Sequence, residues 1–169
     1  MKYIASIPVV LLALTSVSAL AGSYSCKPIT GTIQQLIPDP SCKILQDKAS
    51  YFPDATFLTQ LGFPNTCFSG KLQATLGTKS VTGTSSSGLT VNGIGQLTAA
   101  SAIRLNAGSV EIGRVFTKDV ISEPEVNPNE LATMISGTKA FKGGYGNLEI
   151  KGNALYQDTS FSGIVCTEK

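Results

Sequence analysis

From Thr66 onward, apolar and polar residues alternate with a period of two, the repeat of a strand that buries one face. Leu72, Ala74 and Leu76 alternate with Lys71, Gln73 and Thr75. Leu97, Ala99, Ser101, Ile103 and Leu105 share one face, and Thr98, Ala100, Ala102 and Arg104 share the other. Leu131, Thr133 and Ile135 alternate with Ala132, Met134 and Ser136, and Leu148 and Ile150 with Glu149 and Lys151. Turn signals fall at Gly77-Thr78, Ser87-Gly88, Asn92-Gly93, Asn106-Ala107-Gly108, Gly143-Gly144 and Gly152-Asn153. Ser122 to Glu130 reads as one long polar loop. Seven or eight short strands at this spacing predict an all-β fold, a barrel or a sandwich. A closed antiparallel barrel is favoured, because closure removes exposed strand edges.

The first 65 residues break this pattern. Lys2 is a positive n-region, Ile7 to Leu14 an apolar core, and Ala19-Leu20-Ala21 a small-residue cleavage pattern. The core is too short for a spanning helix, which needs about 20 apolar residues. Residues 1–21 therefore read as a secretory signal cleaved after Ala21, with Ala19 the alternative. Residues 22–65 carry Pro28, Pro38, Pro40, Pro53 and Pro64 and read as an irregular, partly helical lead-in. Gln34–Ile37 and Lys43–Ala49 are its candidate helical turns. Residues 66–169 form the β domain.

Cys26, Cys42, Cys67 and Cys166 all follow the signal, and an even number in an exported chain implies two disulfides with three possible connectivities. Strand placement favours Cys26–Cys42, stapling the lead-in, and Cys67–Cys166, joining the first and last strands. Cys67-Phe68-Ser69-Gly70 and Phe161-Ser162-Gly163 are the matching segments at those two ends.

Charge and residue chemistry narrow the function mainly by exclusion. A net charge of +2 with scattered charges leaves no electrostatic footprint for nucleic acid or an anionic membrane. No second segment is long and apolar enough for a membrane helix. The chain has no histidine and no C-x-x-C spacing, which argues against a metal site, a histidine-based catalytic triad and a thioredoxin-like centre. Gly93-Ile94-Gly95 is a turn-like G-x-G without the rest of a phosphate loop. No cofactor is implied. Glu123, Glu125 and Glu130 crowd the polar loop and read as solvated. Arg104, Glu111, Arg114, Asp119 and Glu149 interrupt strands. Facing a cavity, Arg104, Glu111, Arg114 and Glu149 are the candidate ligand-binding residues; facing outward, they are ordinary solvated side chains. Asp119 is alternatively a strand-end cap, and Tyr145 and Tyr156 are candidates for a ligand mouth.

The stretch from Ile135 to Cys166 resembles the signature of the allene oxide cyclase and dirigent-like β-barrel superfamily. Gly137, Thr138, Phe141, Gly143 and Gly146 fit its glycine-rich turn, while Lys139 stands for a glycine and Gly144 for an alanine. The resemblance implies a barrel whose end is plugged by Phe141, and an interior used as a shaped cavity. Two functions follow as expectations. One is an exported module that binds a small apolar molecule or a protein partner, with oligomers possible. The other is a cyclase- or isomerase-type enzyme acting by confinement. The short signal, the lack of N-x-S/T sequons and the few cysteines point to a bacterial protein, periplasmic or secreted.

Overall fold

The computed structural model describes residues 23–39, 67–92, 96–122 and 128–169. Nine strands run in chain order: β1 (Tyr24–Ile33), β2 (Ile37–Pro38), β3 (Cys67–Leu76), β4 (Lys79–Asn92), β5 (Gln96–Ala107), β6 (Val110–Ser122), β7 (Asn129–Gly137), β8 (Tyr145–Lys151) and β9 (Thr159–Glu168). Each strand from β3 to β9 pairs antiparallel with the next. β1 then pairs antiparallel with both β9 and β3, so eight strands close a barrel. The two-residue β2 adds to the side of β3. The predicted closed antiparallel barrel is the observed architecture.

Three local expectations give way to the structure. The strand that closes the barrel, β1, lies in the stretch read as an irregular lead-in. Its Ile29 and Ile33 are buried, and Pro28 is accommodated within the strand. Gln34–Ile37 is not a helical turn: Gln34 to Leu36 lack regular structure and Ile37 opens β2. Ser87-Gly88 does not turn but lies inside β4, paired with Phe68 and Cys67 on one side and with Ser101 and Ala100 on the other. Ladder bonds to both neighbours outweigh the intrinsic turn preference of the Ser-Gly run. The Lys43–Ala49 turn and the residue 1–21 signal, with its Ala21 cleavage site, lie outside the described residues.

The disulfide pairing is also corrected. Cys26 on β1 bonds Cys166 on β9, and the two are direct partners in the β1–β9 ladder. The premise of a bridge joining first and last strands holds, but β1 rather than β3 is the first strand. Cys67 is also disulfide-bonded, and Cys42 lies outside the described residues.

The inward faces divide the barrel into two halves. Toward the β5–β6 hairpin and the β7–β8 connection, Ile29, Leu72, Leu105, Val115, Leu148, Phe161 and Val165 fill the interior. The space left among these side chains is about 10 Å³, at the limit for one water. Phe141 closes this end from a 3-10 turn over Lys139–Phe141 and is buried. Two glycines make room for it. A Cβ on Gly113 would overlap the Thr138 carbonyl oxygen and the Phe141 ring, and one on Gly137 would overlap the Phe141 backbone. Thr138 ties the plug to β6: its N–H donates to the Arg114 carbonyl at 2.9 Å, and its Oγ1 accepts from the Arg114 N–H at 3.1 Å.

Candidate functional site

The opposite half of the interior is polar. The inward alternation of β4, β5 and β6 places Ser85 and Ser87, Ser101, and Thr117 and Asp119 side by side, all buried. On β7 the same alternation carries Met134, Ala132 and then Glu130 inward beside β6. Asp119 is 2% exposed, so its carboxyl lies away from bulk water. Ser101 Oγ donates to Asp119 Oδ2 at 2.5 Å. A hydroxyl carries one proton, so Ser101 accepts from Ser87 across the 2.8 Å Oγ–Oγ contact. A directional chain thus runs Ser87 to Ser101 to Asp119. Beyond it, Asp119 Oδ1 and Thr117 Oγ1 are buried with no hydrogen-bond partner among the described residues.

Asp119 and Glu130 titrate as a pair. Burial pushes Asp119 up to about 6, against the hydrogen bond from Ser101 that favours its charged form. Burial also raises Glu130, and the negative charge of Asp119 raises it further, to about 8. Near neutral pH the pair therefore shares one proton. An arrangement of one ionised and one protonated carboxyl can accept a hydrogen bond and donate one, and it can take up or release a proton near pH 7.

The sequence-predicted candidates lie elsewhere. Glu111 and Arg114 do come together, at 3.4 Å, near the Phe141-sealed end; Lys139 also reaches Glu111 at 3.4 Å. Burial alone would raise the Glu111 carboxyl, but the hydrogen bond and charge of Arg114, joined by Lys139, outweigh it and hold the carboxyl below its usual range. Glu149 faces outward on β8 beside Lys151, at 3.6 Å. Arg104 sits on the outer face of β5, directly opposite Arg114 across the β5–β6 ladder. Tyr145 is half exposed and packs edge-on against Tyr24, with ring centroids 5.0 Å apart, while Tyr156 is exposed. None of these residues joins Asp119.

Asp119 was singled out by sequence but as a solvated or capping residue, and Glu130 was read as part of a solvated loop. Both readings are corrected: Asp119 is inside the barrel, and Glu130 lies in β7 with its carboxyl against Asp119. The signal that locates them is periodicity. Counting back in twos from Met134 and Ala132 reaches Glu130, and counting on from Val115 and Thr117 reaches Asp119.

Among solved structures, that of a pterocarpan synthase dirigent protein superposes with a TM-score of 0.50 at 10% sequence identity, covering 97% of this chain and 100% of that one. At that identity the likeness is one of fold, and the chain has a dirigent-like barrel. No protein-family model and no curated protein sequence matches it.

Proposed function

We propose that this is an exported bacterial protein whose barrel is a small-molecule binding module, with the polar end of the interior as its site. The observation that carries the reading is the Asp119–Glu130 pair. Both carboxyls have raised pKa values there, and Asp119 Oδ1 and the neighbouring Thr117 Oγ1 are buried with no hydrogen-bond partner among the described residues. Burial of such groups costs stability unless they are satisfied, and a ligand that satisfies them would recover that cost. A largely apolar molecule carrying a hydroxyl or amine fits: Ala99 and Ile121 flank the pair with apolar surface, and the carboxyls receive the polar group. The Cys26–Cys166 bridge supports an oxidising compartment and hence export.

Native mass spectrometry on protein purified from an exported fraction, followed by solvent extraction, tests this reading. The expected result is a retained small molecule on the wild type that is lost from Asp119→Asn and from Glu130→Gln. A wild-type mass equal to that of the bare oxidised chain would overturn it.

A cyclase- or isomerase-type enzyme is the second reading, and the same pair favours it. One protonated and one ionised carboxyl sharing a buried site make an acid–base couple poised near neutrality. Turnover of an extracted ligand, with a bell-shaped pH profile abolished by Asp119→Asn, would distinguish catalysis from binding. The family resemblance allows both functions, because fold does not dictate reaction.

A further inference from the structure

On the outside of the barrel, well away from the carboxyl pair, strands β3, β4 and β5 form the floor of a groove of about 580 Å³. Strand register sets its chemistry. Lys71 on β3 is opposite Thr84 on β4, and Thr84 is opposite Arg104 on β5, so the three make one row across the groove. The next row places Ser69 opposite Ser86, and both hydroxyl-bearing residues also line the groove. Among the described residues of the lining, Asp39 is the one carboxylate.

The two cations are unbalanced. Neither Lys71 nor Arg104 has a carboxylate within ion-pair distance among the described residues, and the Arg104 Nε is buried without a hydrogen-bond partner. Arg104 also faces Arg114 directly across the β5–β6 ladder, where like charges repel. Arg114 is neutralised by Glu111, whereas Arg104 has no counter-charge among the described residues. Two strand spacings, roughly 9.5 Å, separate the backbones of Lys71 and Arg104. A ligand lying along this row and carrying a negative group at each end meets both cations, with hydroxyls between them to meet Thr84 and Ser86.

We infer that this outer groove is a binding site for a short acidic saccharide, with uronate-type carboxylates on Lys71 and Arg104. A planar carboxylate suits the arginine fork, which offers two parallel N–H donors, and the ammonium of Lys71 holds the second carboxylate as a point charge. The serine and threonine hydroxyls face the sugar hydroxyls. Binding on the outside leaves the interior pair untouched, so this site stands independently of the function proposed for the barrel interior.

Amide chemical-shift titration of the full oxidised protein with an oligogalacturonate trimer tests the assignment, with maltotriose, inorganic phosphate and inorganic sulfate as comparison probes. The trimer is expected to shift amides of β3, β4 and β5 around Lys71, Thr84 and Arg104, and to bind more weakly as salt is raised. Lys71→Met and Arg104→Met are each expected to weaken it by about tenfold, the equivalent of roughly 1.4 kcal/mol for one lost charge-assisted contact. Glu149→Gln, on an outer face that the groove does not include, is expected to leave binding unchanged. Equal binding of maltotriose would overturn the assignment, as would phosphate or sulfate matching the trimer, which would make the groove a generic anion site. Absence of groove shifts at millimolar trimer would overturn it too. If Arg104→Met fails to fold, Lys71→Met alone carries the test, because Lys71 is exposed and projects from a strand that is paired on both sides.

Discussion

Lys139 shows what a single backbone angle reveals. Its φ of +51° is the one positive value among the non-glycine residues described, and it occupies the position where the dirigent-like pattern has glycine. An L-residue there costs about 1–2 kcal/mol, partly offset by the greater unfolded-state freedom of glycine. The ion pair that Lys139 makes with Glu111 is exposed and adds little. Lys139→Gly is therefore expected to raise stability by about 0.5 kcal/mol, read as a higher urea midpoint; a lower midpoint would show that the ion pair matters more than the strain. Asp119 makes the second residue-scale case. Its charge is one reason that Glu130 sits high, so Asp119→Asn should let Glu130 titrate nearer to the ordinary glutamate range. Carboxyl carbon NMR across pH 4 to 9 reads this directly, and an unmoved Glu130 would leave burial as its sole cause.

At the scale of elements, the plugged end depends on one turn and two glycines. Phe141→Ala is expected to cost about 3–5 kcal/mol, the range for removing a buried aromatic ring. Gly137→Ala should be damaging too, since its added methyl meets the Phe141 carbonyl oxygen, a backbone atom, before any side chain. Thermal melts of the two variants beside Lys139→Gly would separate loss of the plug from a general effect of altering the turn. This part of the fold was legible in the sequence, because glycines at 137, 143 and 146 and the aromatic at 141 are local signals. β1 was not. Its neighbours are distant in the chain, and only five of its positions show the inward–outward contrast clearly, around Ile29, Gly31 and Ile33. What makes it a strand is pairing with β9 and β3, two tertiary partners that a local reading does not contain. Glu130 was missed for a related reason: the polar composition before it hid the point at which β7 begins. The alternation told which residues share a face, whereas the closed sheet decided which face is inside.

For the whole molecule, the carboxyl pair links protonation to folding. Both groups hold protons more tightly in the folded chain than in the unfolded one, whose carboxyls titrate near 4. The folded chain therefore carries more bound protons between about pH 4 and pH 8, and stability must fall as pH rises through that window. Asp119 alone contributes on the order of 2–3 kcal/mol to this fall. Urea midpoints at pH 4.5, 6.5 and 8.5 should decline in that order, and the Asp119→Asn/Glu130→Gln double variant should flatten the series. A wild-type profile that rises toward pH 8.5 would contradict the buried pair. The seam bridge acts on a larger scale still. Closing a loop of 140 residue positions is worth about 5 kcal/mol in the chain-entropy model. It also turns the stretch from Cys26 to Cys166 into a covalent ring. A protease that cuts this ring once leaves a linear chain whose pieces remain joined, so the nicked molecule keeps its mass on a non-reducing gel and separates only after reduction. A first cut would then be survivable, because the severed ends stay held within reach of their own ladder.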